Sequence, residues 1–403
     1  MSSIQKVKLN LSSEDKLILA AARLNPSDEE IHLIEDLIDS VEDWKLFTTG
    51  AIRNSVGPLI YKSFSYARNY SSIPDSTISK LKQAYYISFN RNESIYECFH
   101  VAIKAFSEKG KSVIALKGIF LADKIYHDIG LRHMSDIDLL VKKEDAECCR
   151  EILYDIGFET RDRYKSEFIR STHDVKHLPQ LVRNKISIEL HLKTHTDDCE
   201  YNVIIDDYWK NATNAYISNT ACLALCPNDL LQHLCLHLDY HFKNGKIQLY
   251  SYCDIAEVLK FFKNEIDWDT FEKSCSDYNC SKNAYLQLYL AYKYFTAPLP
   301  DYVKNIAIGY ADEQSARLFL SYLKGNRGEI SNEIVNSNIK KLRRIKGTGN
   351  RIKYLLDDIF PSPAFMRSRY MIKYKPLIFW YYIIRLMSGI TGLFKHLAKP
   401  KKK

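Results

Sequence analysis

The residues that could do chemistry in this chain begin with two acids. Asp136 and Asp138 stand two apart in Ser135-Asp136-Ile137-Asp138-Leu139-Leu140-Val141. On a β-strand, positions i and i+2 point to one face. The two carboxylates would therefore share a face, while Ile137 and Leu139 turn to the core. Like charges held that close repel, and oxygen ligation of a hard divalent cation, Mg²⁺ or Mn²⁺, accounts for the pairing. Mg²⁺ is typically held by one or two carboxylates together with substrate phosphates. A third acid, Glu189, lies in Ile186-Ser187-Ile188-Glu189-Leu190-His191, where β-branched and polar residues alternate as in a short strand. If that strand lies beside the first, Asp136, Asp138 and Glu189 form a metal-binding and catalytic triad. Such a cluster can clamp the attacking and leaving oxygens of a phosphoryl displacement.

Upstream, Ser112 to Leu116 reads as a short apolar strand. Lys117-Gly118 makes a turn, and Ile119 to Tyr126 reads as a helix. A helix N-terminus after a glycine presents backbone N–H groups to a phosphate, and Lys117 adds a positive charge. Arg132 either contacts a phosphate or neutralises the neighbouring acids. Ser135 either binds a phosphate or caps a turn. His177 and His191 are candidates to line the pocket, bind the nucleotide or carry protons; ordinary structural hydrogen bonding is the alternative for both.

Leu116-Lys117-Gly118, then Arg132-His133-Met134-Ser135-Asp136-Ile137-Asp138-Leu139-Leu140-Val141, then Glu189-Leu190-His191 resemble the polymerase-β-type nucleotidyltransferases. They are most similar to the family of uncharacterised bacterial nucleotidyltransferases. One departure is visible: the turn here reads Lys117-Gly118-Ile119, where the superfamily more often has Gly-Ser or Gly-Gly and a shorter gap to the first Asp. The resemblance implies an NTP substrate, transfer of an NMP group, and release of pyrophosphate. It also implies a nucleotide held by Lys117, Gly118, Arg132, Ser135, His177 and His191. The family often has a His-Leu-Pro at this place, which favours His177 over His173. The acceptor is open among a small molecule, a peptide, a protein and an RNA. The rival reading keeps the fold as a catalytically silent nucleotide-binding or scaffolding module.

The elements that must position these residues read as an α+β protein, with a small mixed-sheet core flanked by helical regions. The expected division is a helical region over 1–105, a catalytic core over 106–196, and a second helical region with a basic tail over 197–403. Asn25-Pro26-Ser27-Asp28-Glu29-Glu30 is a helix start, with polar caps followed by acids that suit the N-terminal dipole. Pro74-Asp75-Ser76 opens a long helix towards Lys109, stopped at Gly110. Ala146 to Ile156 reads as a helix stopped at Gly157. Pro227-Asn228-Asp229 opens another that carries His233, His237 and His241 in one stripe. No His-Glu-x-x-His order and no cysteine pair accompanies them, so zinc is disfavoured. The roles of these histidines stay open between pocket lining and packing, and that of Asp254 between pocket lining and helix capping or polar pairing.

The chain has 403 residues, is 46% hydrophobic and 26% charged, and carries a net charge of +8. That composition is globular, and its mild basic bias suits nucleotides, nucleic acid or an anionic surface without choosing among them. The basic stretch with Lys340, Lys341, Arg343, Arg344, Lys346, Arg351 and Lys353 lacks an accompanying stacking or helix-turn-helix motif. Ten cysteines without a Cys-x-x-Cys pair read as reduced thiols. With no apolar leader in Met1-Ser2-Ser3-Ile4-Gln5-Lys6, the protein reads as cytoplasmic. Pro376 to Leu386 is aromatic and apolar but short of a membrane span. With the lysines at 399 and 401–403, it reads either as a helix packed on the protein's own core with a solvated tail or as a weak contact with an anionic membrane surface.

Overall fold

The computed structural model describes residues 11–160, 176–196, 199–245, 249–325, 345–370 and 374–397, and besides these 339, 342, 343 and 372. His173, Lys340, Lys341, Arg344 and the lysine tail lie outside the described residues. The chain divides into two compact units. One comprises Met1–Glu159 with Lys176–Ser337; the other comprises Thr160–Val175 with Asn338–Lys403.

The first unit is mostly helical, with one seven-stranded mixed sheet in the order β3-β4-β5-β2-β1-β7-β6. Its strands are β1 (Ile114–Leu116), β2 (Ile137–Leu140), β3 (Glu159–Thr160), β4 (Leu181–Arg183), β5 (Ile186–His191), β6 (Thr213–Ile217) and β7 (Thr220–Ala224). The sheet is centred on β2, antiparallel to β1 and parallel to β5. Ile137 and Leu139 on β2, with Ile188 and Leu190 on β5, are fully buried. This is the apolar face that alternation predicts, and it leaves Asp138, Glu189 and His191 for the opposite face.

Helices α1 (Ser13–Ala21), α2 (Asp28–Asp39), α3 (Trp44–Arg53), α4 (Gly57–Phe64) and α5 (Asp75–Glu108) precede the sheet. The Ser27 start is a capping box: Ser27 accepts from the Glu30 backbone, and Glu30 accepts from the Ser27 backbone. Helix α6 (Gly118–Lys124) follows β1, and α7 (Ala146–Asp155) follows β2 and is stopped at Gly157, where φ is +88°. After the sheet come α8 (Ile205–Asn211), α9 (Pro227–Lys243), α10 (Tyr250–Phe261), α11 (Trp268–Asp277), α12 (Ser281–Phe295), α13 (Asp301–Gly309) and α14 (Glu313–Lys324). The helices before and after the sheet share one core. Arg53 and Asn54 donate to the Leu323 carbonyl at 2.6 and 3.1 Å, and the Leu24 amide donates to Glu257 at 3.2 Å.

The stretch after residue 196 is not wholly helical, as the sequence reading had it. Strands β6 and β7 form a hairpin that joins the sheet through parallel pairing of β7 with β1. Its turn is Ser218-Asn219, with φ of +46° and +63°. Two consecutive left-handed residues make the tight turn whose twist matches that of paired strands. Asn184-Lys185, at +51° and +66°, does the same between β4 and β5.

The 34-residue helix α5 braces the loop that leads to the carboxylates. The Asn92 side-chain amide donates to the Arg132 carbonyl at 2.8 Å and to the Ile129 carbonyl at 2.5 Å. Arg91 donates to the Met134 and Ser135 carbonyls at 3.0 and 2.6 Å. Gly130 lets the loop lie against α5, because a Cβ there would stand 2.4 Å from the Tyr85 ring.

The second unit contains α15 (Thr348–Ile359), α16 (Pro363–Tyr370) and α17 (Ile378–Leu397). Arg385 of α17 donates to the Asp358 carbonyl at 3.0 Å, and the Tyr370 and Tyr381 rings lie 5.1 Å apart. No helix among the described residues is long and apolar enough to cross a membrane.

Asn92 is fully buried and satisfies two loop carbonyls at once. Asn92→Ala should therefore cost about 2 kcal/mol, the usual penalty for stranding buried polar groups. Urea denaturation of the variant against wild type measures it.

Candidate functional site

Strand register brings the acids together. Asp138 on β2 is the in-register partner of Glu189 on β5, and Leu140 is the partner of His191. In-register neighbours share a face, and so do Glu189 and His191 at i and i+2. The Asp138 and Glu189 carboxylates and the His191 imidazole thus converge, with one ligand atom from each lying within 4.8 Å of the others. His191 Nε2 lies 2.6 Å from Asp138 Oδ1 and 3.7 Å from Glu189 Oε2. Among the described residues, this is the one group of three His, Cys, Asp or Glu close enough to hold an ion together. Asp136 precedes β2 and stays outside that group, although it feels both of the other carboxylates.

Lys117 reaches the site from the other side of β2. Leu116, the last residue of β1, is in register with Asp138, so the next residue leaves the strand beside that carboxylate. Lys117 has φ +49° and ψ −119°, a sharp strand-to-helix elbow that non-glycine residues adopt only under compulsion. Its ammonium lies 3.0 Å from Asp138 Oδ2. Both Asp138 oxygens are therefore engaged, one by Lys117 and one by His191. Gly118 follows because nothing larger fits: a Cβ there would stand 2.3 Å from Arg132 Nη1.

Arg132 is fixed by a buried network. Its Nη2 and Nε donate to the two oxygens of Asp254, on α10, at 2.8 and 3.3 Å. Tyr126 also donates to Asp254, at 2.9 Å, and the guanidinium lies 5.0 Å from the Tyr250 ring centroid. Asp254, left open between pocket lining and polar pairing, is thus the counterion of Arg132. The pair presses Arg132 against the Lys117-Gly118 elbow. Ser135 donates to Asp136 Oδ1 at 2.7 Å. His177 forms a β-bridge with His191, and its Nε2 lies 3.7 Å from Glu189 Oε2. Gln180 donates to the other Glu189 oxygen at 3.2 Å.

The electrostatics separate the two aspartates. Burial alone would raise Asp138, but the Lys117 ammonium and the hydrogen bond from His191 hold its carboxyl well below the usual range. Lys117 and the Ser135 hydrogen bond also favour ionised Asp136, but they are outweighed. Burial, then Asp138 and Glu189, push it up to about 6. Burial lowers His191 to about 4 against the pull of Asp138, so the imidazole is neutral at pH 7. The neutral tautomer that donates Nε2–H to Asp138 leaves Nδ1 buried, with no hydrogen-bond partner among the described residues.

One residue, Lys176, escaped the sequence reading. Lys176 stands within electrostatic reach of Asp138 and Glu189. Burial, then Lys117, lower it to about 8. The histidine stripe of α9 faces the same charges: burial, then Lys117, hold His233 and His237 well below the ordinary imidazole range. The signal for Lys176 was its place one residue before His177, opposite the end of β5. That pairing is visible only once Leu192 N is seen to donate to the Lys176 carbonyl at 2.8 Å.

The donor set fits a divalent ion. Two carboxylates and an imidazole converge, with Asp136 two residues from Asp138, and oxygen-rich sites of this kind suit hard cations.

A family model described as an uncharacterised nucleotidyltransferase matches residues 40–296, which span the sheet, α9 and α10. No curated protein and no solved structure matches the chain.

The two aspartates should respond oppositely to pH in the metal-free protein. A carboxyl raised above its ordinary 3.8 gives stability below that value and loses it as pH rises through about 6. Ionised Asp136 therefore destabilises the fold at neutral pH. Asp136→Asn should stabilise the protein at pH 8 in EDTA by about 2–3 kcal/mol, at ~1.4 kcal/mol per pH unit. The gain should vanish near pH 4. Asp138, held low, contributes stability present at neutral pH and lost as pH falls through its depressed value, so Asp138→Asn should destabilise. Urea titrations at pH 4, 6 and 8 check both signs.

Proposed function

The chain belongs to the uncharacterised nucleotidyltransferase family, and from that premise we propose that it moves an NMP group from an NTP to an acceptor hydroxyl and releases pyrophosphate. The observation that carries this reading is the in-register pairing of Asp138 with Glu189, completed by His191 and capped by Lys117. Asp136, Asp138 and Glu189, with His191 beside them, are the residues that would hold Mg²⁺ or Mn²⁺. The ion would supply positive charge for the phosphate oxygens as negative charge develops on them.

The chain's own residues divide the remaining work. Glu189, anchored by Gln180, is the base that takes the acceptor proton as the acceptor oxygen bonds to the α-phosphorus. The bond from that phosphorus to the bridging oxygen breaks, and the electron pair leaves with pyrophosphate. Lys117 and the α6 N-terminus at Gly118 face the phosphates with an ammonium and backbone N–H groups. Arg132, locked to Asp254, keeps the elbow in place and adds its charge to that wall. Ser135 orients Asp136. His177 and His191 contribute to nucleotide binding as hydrogen-bonding groups beside the carboxylates. Positioning of this kind supplies much of the rate in phosphoryl transfer.

The test uses α-labelled NTPs with Mg²⁺ or Mn²⁺ and extract of the native host. Wild type should transfer label to one acceptor fraction with pyrophosphate release. Asp136→Ala/Asp138→Ala should transfer none, and Asp138→Asn should lose on the order of a hundredfold or more. Tight Mg–NTP binding without pyrophosphate release would instead support the silent module.

A second contact rests on α17. Phe379 and Trp380 are 76% and 64% exposed, on a helix followed in sequence by the lysine tail. Aromatic and cationic groups together suit an anionic bilayer surface. Wild type should co-sediment with phosphatidylserine vesicles, and Phe379→Ser/Trp380→Ser should not. Equal sedimentation of both would exclude this face.

A further inference from the structure

Around the carboxylate group stands a second set of polar groups that the proposed chemistry has not used. Lys176 is half-buried, and among the described residues no hydrogen bond or ion pair engages its ammonium. Among the described residues, the buried imidazole nitrogens His191 Nδ1, His233 Nε2 and His237 Nδ1 also find no hydrogen-bond partner. Folded proteins satisfy nearly all buried polar atoms, so several orphans in one neighbourhood signal a ligand that completes them. They are one neighbourhood: Lys176 and Lys117 act on His191, His233 and His237 alike. The His233 and His237 rings, one turn apart on α9, lie 6.0 Å from each other.

The chemistry of the set selects the ligand. A metal is disfavoured there, because among the described residues no carboxylate or thiol joins His233 and His237 within ligand distance. The nearby acid of α9, Asp239, is engaged by Asn283, Gln287 and Lys243. What remains is two ammonium groups and neutral imidazoles. An imidazole can offer its N–H from either ring nitrogen. Cations backed by neutral N–H donors match a multiply charged oxyanion. Lys117 is already paired with Asp138, whereas Lys176 is not, so Lys176 is the cation with charge to give.

We infer that Lys176, with His233 and His237 behind it, forms a polyphosphate-binding wall that receives the β- and γ-phosphates of the nucleotide. The inference rests on the nucleotidyltransferase reading and adds to it the residues that hold the leaving group. No bond is made or broken by these groups. They compensate the charge that pyrophosphate carries away.

Calorimetric titration with Mg–tripolyphosphate, which lacks base and sugar, tests the wall directly. Wild type should bind it, Lys176→Met should bind at least tenfold more weakly, and Lys176→Arg should restore most of the loss. His237→Ala should weaken binding severalfold. Lys176→Met should also melt at or above the wild-type temperature without ligand, since it removes an unpaired cation; a merely structural lysine would lower it. Equal tripolyphosphate affinity for wild type and Lys176→Met would overturn the inference while leaving nucleotidyl transfer intact. Binding that depends on Lys176, with no transfer from any NTP, would uphold the wall and remove the reaction. Failure of wild type to bind tripolyphosphate at all would overturn the inference outright.

Discussion

The site is organised by one buried charge. Asp138 is 7% exposed, and its two oxygens are taken by different partners, Lys117 at 3.0 Å and His191 at 2.6 Å. A carboxylate removed from water is tolerated only when paired and hydrogen-bonded. That requirement explains much of the surrounding geometry. Lys117 can meet Asp138 only if β1 and β2 are antiparallel in the observed register and the chain turns sharply after Leu116. His191 can meet it only if β5 runs parallel to β2. The positive φ at Lys117 is the local expense of putting an ammonium where the pairing needs one.

The next layer holds those partners still. An elbow under backbone strain would relax unless its neighbours forbade it, and Arg132 forbids it by occupying the space a larger residue at 118 would need. Arg132 in turn is fixed by Asp254, Tyr126 and Tyr250, and its backbone is fixed by Asn92. Residues from α5, the β2 approach and α10 thus meet at one arginine. The N-terminal helices, which carry no catalytic signature, gain their role here: α5 is the rail along which the loop of residues 129–135 is clamped.

Local signals in the sequence revealed a good deal of this, and the limits of that legibility are physical. Alternation places Asp138 and Glu189 on a strand face because the period of a strand is two, whereas Asp136, read onto the same strand, precedes β2. That β2 and β5 are neighbours, and parallel, depends on long-range pairing that no local pattern encodes. Capping chemistry exposed the helix starting after Ser27, and glycine stops exposed the ends of α5 and α7. The β6–β7 hairpin was hidden because Ser218-Asn219 is a weaker turn signal than Asn-Gly, and its strands carry Thr, Asn and Ala rather than long apolar runs. Lys176 was hidden for a different reason. A lysine next to a histidine looks like surface, and only the fold shows that it is buried and faces the like charge of Lys117.

The charges left unsatisfied point in a consistent direction. Asp136 is pushed up by burial and by like charges, and Lys176 is pulled down by burial and by Lys117. A fold selected only for stability would have replaced both, because each opposes the compact state. Their defects are of opposite sign, and both groups interact with Asp138 and Glu189. A cation would relieve the first and an anion the second, so a ligand carrying both together would relieve both at once. A metal–polyphosphate is such a ligand. Local violations of stability rules concentrate where function demands them, and here the pattern of violations has the polarity of the substrate class.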